Sequence, residues 1–518
     1  MGYWAKPAFD RTQASFSLDQ SIPQNHPVRH LDEILRNMDW STWTQTYNGK
    51  QGQPPIPPWI MAAVILYGLM RGIRSSRQLE YVCLNNIDFM WLAEGRTIDY
   101  STICRFRTKF REPLKQLFKQ VNRLAMALGL IALVQVAFDG TRVKADASRL
   151  HTWTAERVEK VLQELEGEIE RLLQGADTAD AALWGQDEHQ ELPPELADAQ
   201  KRQEKLRTVL EKLQQADAAR QKDGIDPKKN PAQLPKADVD AKVMPNKEGG
   251  YAPNYTPVAA TDGTRGFIMD CDVLAGPNEH NELVPSMQRI EEDYAKCPEN
   301  CSADKAFGTG PNLEAMEALG INFYTPVESS TPQKGNPARR DDPRQPVPEG
   351  EWPELPRNNR KKLDKSCFVY DAATDRYFCP MGQAMPYRET KKSEDKEVRV
   401  YACPCCEGCP LAGECLDPKA KHGRTVSRDG YEPARERMAA KMATEEGRKT
   451  YHQRMHIAET PFAIIKSILE VRRFLLRGIE KVRTEWRWVC TAYNLKKLIA
   501  AVAAARAEGG EMAVSGAR

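Results

Sequence analysis

The sequence predicts a mixed α/β fold with a helical N-terminal region, and three observations support that prediction. Residues 20–130 contain apolar segments of helical length, such as Trp59 to Met70, each preceded by a capping or turn residue. From Val134 the pattern changes to three short apolar strands in succession. Helices and strands then alternate as far as Val327, which is the order expected of a mixed sheet with helices packed on it.

The individual elements follow from apolar periodicity and capping residues. The predicted helices are Trp59–Met70, Arg77–Asn85, Thr102–Phe110, Glu279–Tyr294 and Asn312–Leu319. The predicted strands are Val134–Phe138, Tyr255–Thr261, Gly266–Leu274, Asn300–Ala303 and Ile321–Val327, with Thr261-Asp262-Gly263 as a hairpin turn. Arg105 and Arg107 lie on the third helix behind a turn, a layout that fits a helix-turn-helix DNA reader or an ordinary helical bundle equally well.

Two insertions interrupt the α/β pattern. Val158, Leu162, Leu165, Ile169 and Leu172 keep a heptad spacing that resumes at Leu206, which predicts an antiparallel helical hairpin. The second insertion, residues 328–440, is rich in Pro, charge and Cys, and its stretch from Ser329 to Arg360 is predicted to be disordered. The predicted divisions are a helical DNA-binding domain 1–130, core segments 131–150 and 236–327, the hairpin 151–235, the Cys-rich insertion 328–440, and C-terminal helices 441–518 completing the core.

Charge is unevenly distributed along the 518 residues. Lys and Arg exceed Asp and Glu by 6 in residues 1–138 and by 10 in residues 419–518, whereas the acids are in excess by 14 in residues 139–418. Basic ends around an acidic centre fit a protein that grips phosphates and holds metal-binding carboxylates. The longest apolar run has 12 residues, short of the roughly 20 that span a bilayer, so we expect no membrane contact and a cytoplasmic, nucleoid-associated location.

Three acidic residues are candidates for catalysis. Asp139 ends an apolar strand, and Asp304 follows another short strand; a carboxylate at such a place is costly to bury unless it binds a cation or a partner. Glu459 lies in basic helical sequence, with Lys466 two helical turns later on the same face. Pro461 predicts that Glu459 lies at the start or a bend of its helix. Turn capping or an ordinary helix-start role is the alternative for each.

The cysteines cluster in a way that indicates metal rather than disulfides. Cys406-x2-Cys409 has the spacing by which one turn places two thiolates on zinc, and Cys379 and Cys415 can complete four ligands. Cys403 and Cys405 are further candidates. The alternative is a reduced thiol cluster or a redox pair.

These motifs together resemble a known family. The segments Tyr451-His-Gln-Arg454-Met-His-Ile-Ala-Glu459 with Lys466, Phe138-Asp-Gly-Thr-Arg-Val-Lys and Ala303-Asp-Lys-Ala-Phe-Gly308 are similar to the DDE transposases of bacterial insertion sequences that carry a Tyr-x2-Arg-x3-Glu-x6-Lys signature. The closest resemblance is to the insertion-sequence family numbered eleven eighty-two. It covers nearly the whole chain. In this chain four residues, not three, separate Arg454 from Glu459.

The resemblance implies an RNase H-like core, a DNA transposase activity and a set of site residues. Asp139, Asp304 and Glu459 would hold two Mg²⁺ or Mn²⁺ ions, with Glu445 or Glu446 as a rival third acid. Tyr451, Arg454 and Lys466 would hold the transposon end. A basic surface for double-stranded DNA, or alternatively a solvated ion-paired face, would comprise Arg472, Arg473, Arg477, Lys481, Arg483 and Arg487.

The sequence therefore predicts a transposase that binds the terminal inverted repeats of its element and cleaves and transfers DNA strands as a homodimer on DNA, with a structural zinc. The alternatives are a catalytically silent, transposase-derived regulator and a nuclease without strand transfer. Trp486 and Trp488 are expected in the core rather than stacked on bases, and His280 at a cap or on the surface rather than at the metals.

Overall fold

In the computed structural model the described residues are 17–47, 55–182, 194–222, 224–246, 249–327, 335–393, 396–417 and 423–508. The N-terminal part of that range is helical throughout, as the sequence predicts. Its helices are α1 (Leu18–Ser21), α2 (Pro27–Arg36), α3 (Ser41–Thr44), α4 (Pro58–Met70), α5 (Ser76–Asn85), α6 (Ile87–Leu92), α7 (Tyr100–Lys109) and α8 (Arg111–Ala127). The carboxylate of Asp99 caps α7 by accepting from the backbone N–H groups of Ser101 and Thr102.

A mixed sheet follows, interrupted by one pair of long helices. The elements are β1 (Gln135–Gly140), β2 (Val143–Lys144), β3 (Thr152–Trp153), α9 (Ala155–Ala182), α10 (Pro194–Lys222), β4 (Leu234–Pro235), β5 (Lys242–Pro245), β6 (Tyr251–Asp262), β7 (Ile268–Leu274), α11 (Leu283–Tyr294), β8 (Asn300–Ser302), α12 (Gly310–Ala318) and β9 (Asn322–Tyr324). The predicted hairpin turn at Asp262 joins β6 to β7.

The strand order of this sheet determines which strands have neighbouring carboxyl ends. Its spatial order is β7-β6-β1-β8-β9, with β2 and β5 paired to the other half of β6. Strands β7, β6 and β1 are antiparallel neighbours, whereas β1, β8 and β9 run parallel. The carboxyl ends of β1 and β8 therefore lie side by side at one edge.

The two long helices of the chain's middle part form a pair with its own apolar core. Helices α9 and α10 pack together through the predicted apolar positions, of which Val158, Leu165 and Leu213 are buried. The heptad stripe is thus used within the chain. Its burial leaves it unsuited as a surface for a second copy of the chain.

The Cys-rich insertion is a five-stranded antiparallel sheet with a separate small core. Its elements are β10 (Val369–Asp371), β11 (Arg376–Phe378), β12 (Ala384–Ser393), β13 (Lys396–Ala402), α13 (Ala412–Cys415) and β14 (Thr425–Asp429). The prediction of disorder from Ser329 to Arg360 is wrong for residues 335–360, and residues 328–334 lie outside the described range. Ala338, Val347 and Leu355 are buried in this core.

Side-chain bonds to backbone explain why that irregular segment is ordered. The guanidinium of Arg340 donates to the carbonyl oxygens of Ala338, Gln345, Pro343 and Cys379. Buried backbone carbonyls outside regular structure need such partners, and composition alone did not reveal that one arginine supplies them.

Three helices complete the chain: α14 (Glu432–Ala443), α15 (Glu445–Ser467) and α16 (Ile479–Ala507). Helix α16 contacts α2, α4, α7, α8 and β7, so the N-terminal helices and the sheet share one hydrophobic core. Trp486 and Trp488 are buried in it, which confirms their expected core role. Within the described residues, no helix is long and apolar enough to cross a membrane.

The sequence predicts Glu459 at the start or at a bend of its helix, and the first of these two positions is wrong. Helix α15 is assigned without interruption from Glu445 through Pro461 to Ser467, which leaves Glu459 in its interior. Burial of Ala458, Phe462 and Ile465 against the core offsets the missing backbone donor of Pro461.

We predict that the hairpin unfolds separately from the rest. Leu213→Ala leaves a cavity in the hairpin core and should lower its free energy of unfolding by about 2–5 kcal/mol. Native-state hydrogen exchange should then be faster in α9 and α10 while α16 stays protected. Leu150→Ala, at a side chain 87% exposed, is the matched control. Equal loss of protection in α16 would contradict a separately packed insertion.

Candidate active site

The paired register of β1 and β8 brings two of the candidate acids together. Ala137 on β1 lies opposite Ser302 on β8, and Asp139 and Asp304 each follow two residues later. Because the two strands are parallel, both carboxylates arrive at the same sheet edge. Asp139 accepts from the backbone N–H of Gly140 at 2.8 Å, and Asp304 accepts from that of Ala306 at 2.8 Å. Asp304 therefore also has the capping role that is its alternative, whereas Asp139 lies within β1 and accepts from the next residue of the strand.

Helix α15 adds the third acid. It contacts β1, β6, β8 and β9, and Glu459 projects into a cleft of about 410 Å³ that Asp139 and Asp304 also line. Glu445 and Glu446 lie in the first turn of α15, about 20 Å along the helix from Glu459 at 1.5 Å per residue. They do not line this cleft. Three acids from distant segments thus line the same cleft. Of the candidate acids on α15, Glu459 is the one that lines it.

One cationic side chain of the resemblance lines this cleft, and a second contacts a residue that lines it. The guanidinium of Arg454 lies 3.7 Å from the carboxylate of Asp139 and 5.6 Å from the ring of Tyr451. The ammonium of Lys466 donates to the hydroxyl of Thr141 at 2.7 Å. The altered spacing between Arg454 and Glu459 therefore still leaves both residues on the cleft.

Glu279 is a fourth carboxylate at the site that the sequence did not single out. It lines the cleft and accepts from the guanidinium of Arg142 at 2.9 Å. It lies so close to Gly140 that a Cβ at that position would fall 2.1 Å from its Oε2 atom. Burial raises the pKa of Glu279 to about 7; Arg142 opposes that shift, and the negative charges of Asp139 and Asp304 add to it. The available signal was its polar loop after the third strand, which we had noted only for His280.

The donors of the cleft fit a divalent cation chemically. Carboxylate oxygens are the ligands that Mg²⁺ and Mn²⁺ prefer, and four carboxylates line this cleft. As the side chains stand, however, no group of three or more His, Cys, Asp or Glu among the described residues is arranged to hold a metal ion.

The cysteine cluster surrounds a small cavity. Its volume is about 20 Å³, enough for roughly one water-sized occupant. The lining cysteines are Cys379, Cys403, Cys405, Cys406, Cys409 and Cys415, and all are free thiols. A hydrogen bond from the Cys403 thiol lowers the pKa of Cys379 to about 6. The backbone N–H of Arg424 points at the sulfur of Cys406 at 3.3 Å. Cys405 is the exposed member.

The candidate DNA-contacting arginines fall into two classes. Three of them are exposed, namely Arg473, Arg477 and Arg105. Arg473 and Arg477 both form ion pairs with the carboxylate of Asp146, and Arg105 donates to the hydroxyl of Ser101. Arg107 is buried and donates to the backbone oxygen of Arg74 at 2.7 Å. Because the guanidinium of Arg107 is buried and hydrogen-bonded inside the fold, it is not placed to contact DNA. The prediction that Arg107 binds DNA is therefore not supported.

Comparisons with known proteins point to one class. Residues 16–109 match the model of a family described as transposase domain (DUF772), and residues 378–499 match that of the transposase DDE domain. The second match includes the cysteine cluster and Glu459, whereas Asp139 and Asp304 lie outside both. The two matches support a DNA transposase of the DDE, insertion-sequence type.

The other comparisons add no argument. One solved structure, a cryo-EM structure of the piggyBac transposase synaptic complex with hairpin DNA, is 10% identical, with 94% of this chain and 77% of that chain covered and a TM-score of 0.31. That score is too low to support a common fold. No curated protein matches this chain.

We predict a pH-dependent stability from Glu279. Folding raises the pKa of Glu279 from 4.5 to about 7, so the protonated carboxyl group favours the folded state. This contribution to stability is fully present below pH 4.5 and is lost as the pH rises to about 7. The free energy of unfolding of the metal-free protein should therefore fall over this range more steeply than that of Glu279→Gln. Chemical denaturation from about pH 4.5 to about pH 7.5 measures the difference. Glu445→Gln should leave the wild-type profile unchanged; parallel profiles for wild type and Glu279→Gln would contradict the prediction.

Proposed function

We propose that this chain is a transposase that binds the terminal inverted repeats of an insertion sequence and catalyses metal-dependent cleavage and transfer of DNA strands. One observation carries the proposal: Asp139, Asp304 and Glu459, which come from three separate segments, line a single cleft. The two transposase family matches support the same class of activity.

The proposal includes an RNase H-like catalytic core. In support, the five core strands in chain order, β1, β6, β7, β8 and β9, have the spatial order third, second, first, fourth, fifth. The first three are antiparallel and the last two run parallel to the first. The first acid is on the first strand, the second follows the fourth strand, and the third is on a later helix, as the family resemblance implies.

Asp139, Asp304 and Glu459 are the proposed ligands of two Mg²⁺ or Mn²⁺ ions. When bound, such a pair activates the attacking water or 3′-hydroxyl and stabilises the leaving oxygen of a phosphoryl transfer. The chain's own contribution is to position charge. Arg454 lies beside Asp139 and Lys466 beside Thr141, so both cations border the position where a scissile phosphate would approach the acids.

The proposed DNA surface extends from this cleft over Arg473 and Arg477, with Arg105 on the N-terminal helices as a separate contact. Arg473 and Arg477 now share the carboxylate of Asp146. A phosphate offers the same kind of acceptor and could replace that carboxylate on binding. A homodimer on DNA remains part of the proposal, but its contacts must come from surfaces other than the buried heptad stripe.

A structural zinc ion is the proposed occupant of the cysteine cavity. Several cysteine sulfurs around a small space, with a backbone N–H directed at one of them, support a structural zinc site. Cys379, Cys406, Cys409 and Cys415 are the proposed ligands. Cys403 is an alternative zinc ligand, because its thiol is hydrogen-bonded to Cys379. Cys405 is the weakest candidate ligand, because its side chain is exposed.

We predict that each acid is required for chemistry and not for DNA binding. With a labelled DNA duplex carrying the element ends and Mg²⁺, Asp139→Asn, Asp304→Asn and Glu459→Gln should each reduce the cleavage rate by more than the roughly 100-fold that loss of an outer-shell partner costs. Affinity for the duplex should stay within a few fold. Glu445→Gln is the control and should cleave normally. Undiminished cleavage by Asp304→Asn would overturn the site assignment, and cleavage without joining of ends would identify a nuclease.

We predict one zinc per chain, measured by elemental analysis after dialysis. Cys409→Ser should lose the zinc and destabilise the insertion, because structural zinc contributes folding free energy. Cys405→Ser should retain it, since its thiol is exposed. Wild-type protein that reacts with thiol reagents without releasing zinc would remove the zinc proposal and leave the transposase proposal standing.

A further inference from the structure

A buried ion pair joins the N-terminal helices to the end of the catalytic region. Arg74, in the turn between α4 and α5, donates to the carboxylate of Glu485 on α16 at 2.8 Å. Their side chains are only 10% and 2% exposed. A buried pair of this kind is costly to desolvate and is weak evidence of a purely stabilising role, so its other contacts indicate what it does.

Those other contacts all go to one loop, residues 470–477, which connects α15 to α16. Arg74 donates to the carbonyl oxygens of Glu470 and Arg473. Glu485 accepts from the backbone N–H groups of Leu475 and Leu476 at 2.9–3.1 Å. Thus both members of the ion pair bind the backbone of the same loop, one through its carbonyl groups and the other through its N–H groups.

The loop is also attached to the sheet beside the cleft. The N–H of Phe474 donates to the carbonyl of Lys144 on β2 at 2.8 Å, and the N–H of Lys144 donates to the carbonyl of Arg472 at 3.4 Å. Phe474 itself is fully buried against Tyr255. With its backbone held on both sides, the loop presents Arg472, Arg473 and Arg477 outward, where all three are exposed.

The N-terminal side of this arrangement is equally fixed. The guanidinium of Arg107 on α7 donates to the backbone oxygen of Arg74, and the carbonyl of Arg107 accepts from the ring N–H of Trp488 on α16. Burial lowers the pKa of Arg107, and the charge of Glu485 opposes that shift. The turn that carries Arg74 is therefore held by α7 and α16, and the position of Arg74 depends on the docking of the N-terminal helices.

We propose that Arg74 and Glu485 are positioning residues that hold the 470–477 loop in its DNA-binding arrangement and make that arrangement depend on the docked N-terminal helices. The inference rests on the proposed function, since it takes duplex DNA to be the ligand of the loop. It assigns a role to residues that neither line the cleft nor contact DNA.

The experiment measures the affinity for a labelled duplex of random sequence at roughly 50–200 mM salt. In a plot of log affinity against log salt, each phosphate contact contributes about 0.9 to the magnitude of the slope. Arg74→Ala alone leaves Glu485 buried without its cation and can unfold the protein. The double variant Arg74→Met with Glu485→Gln removes both charges together. Its slope should be smaller than that of wild type by about 2–3, the contribution of three arginines.

A further substitution separates positioning from general destabilisation. Arg473→Ala should lower the slope by about 0.9 in the wild-type background and by close to zero in the double variant, because there the loop no longer presents that arginine.

Arg506→Ala is the matched control. Arg506 on α16 forms a bidentate pair with Glu33 on α2, joining the same two parts of the chain away from the loop. Its slope should equal that of wild type.

The outcomes distinguish this inference from the proposed function. If the folded double variant keeps the wild-type slope, or Arg473→Ala has the same effect in both backgrounds, the positioning role is wrong even though wild type binds and cleaves DNA. If wild type shows no salt-dependent duplex binding, the proposed function fails and this inference with it. A reduced slope in the Arg506→Ala control would show that any loosening of the N-terminal helices suffices, which also contradicts a specific role for Arg74 and Glu485.

Discussion

The structure depends on one electrostatic constraint, which is that several carboxylates converge where two parallel strands end. Burial raises the pKa of Glu279, and the negative charges of Asp139 and Asp304 add to that shift. The chain meets the constraint in part with its own cations, since Arg454 lies beside Asp139 and Arg142 binds Glu279. The donor set of the cleft is rich in carboxylate oxygens, the kind of ligand that divalent cations such as Mg²⁺ prefer.

Such a site tolerates long insertions because only the strand register and the packing of one helix define it. More than 100 residues separate β1 from β6, and about as many separate β9 from α15. Loop-closure entropy grows slowly with length, and each insertion buries its apolar residues in its own core. The hairpin and the Cys-rich sheet can therefore interrupt the core of the fold without moving Asp139, Asp304 or Glu459 relative to one another.

The sequence predicts the parts of this arrangement that local patterns encode. The strand ends at Asp139 and Asp304, the turn at Asp262 and the heptad hairpin all follow from apolar periodicity and turn chemistry, and the structure has each of them. Glu279 was missed because its only signal in the sequence is the polar loop that contains it, whereas its place at the site follows from its closeness to Gly140 and its ion pair with Arg142 across the fold. The continuous helix through Pro461 and the ordered 335–360 segment were missed for a related reason: packing and hydrogen bonds from distant residues outweigh local preference there.

The same reasoning applies to the buried arginines. In the sequence Arg105 and Arg107 look alike, two positive charges on one short helix, yet one is exposed and the other donates to the turn that carries Arg74. A series of hydrogen bonds leads from Arg107 through Arg74 and Glu485 to the loop beside the cleft. Part of the basic character of the N-terminal region therefore serves the geometry of the fold, and the number of cations overstates the surface that region can offer to DNA.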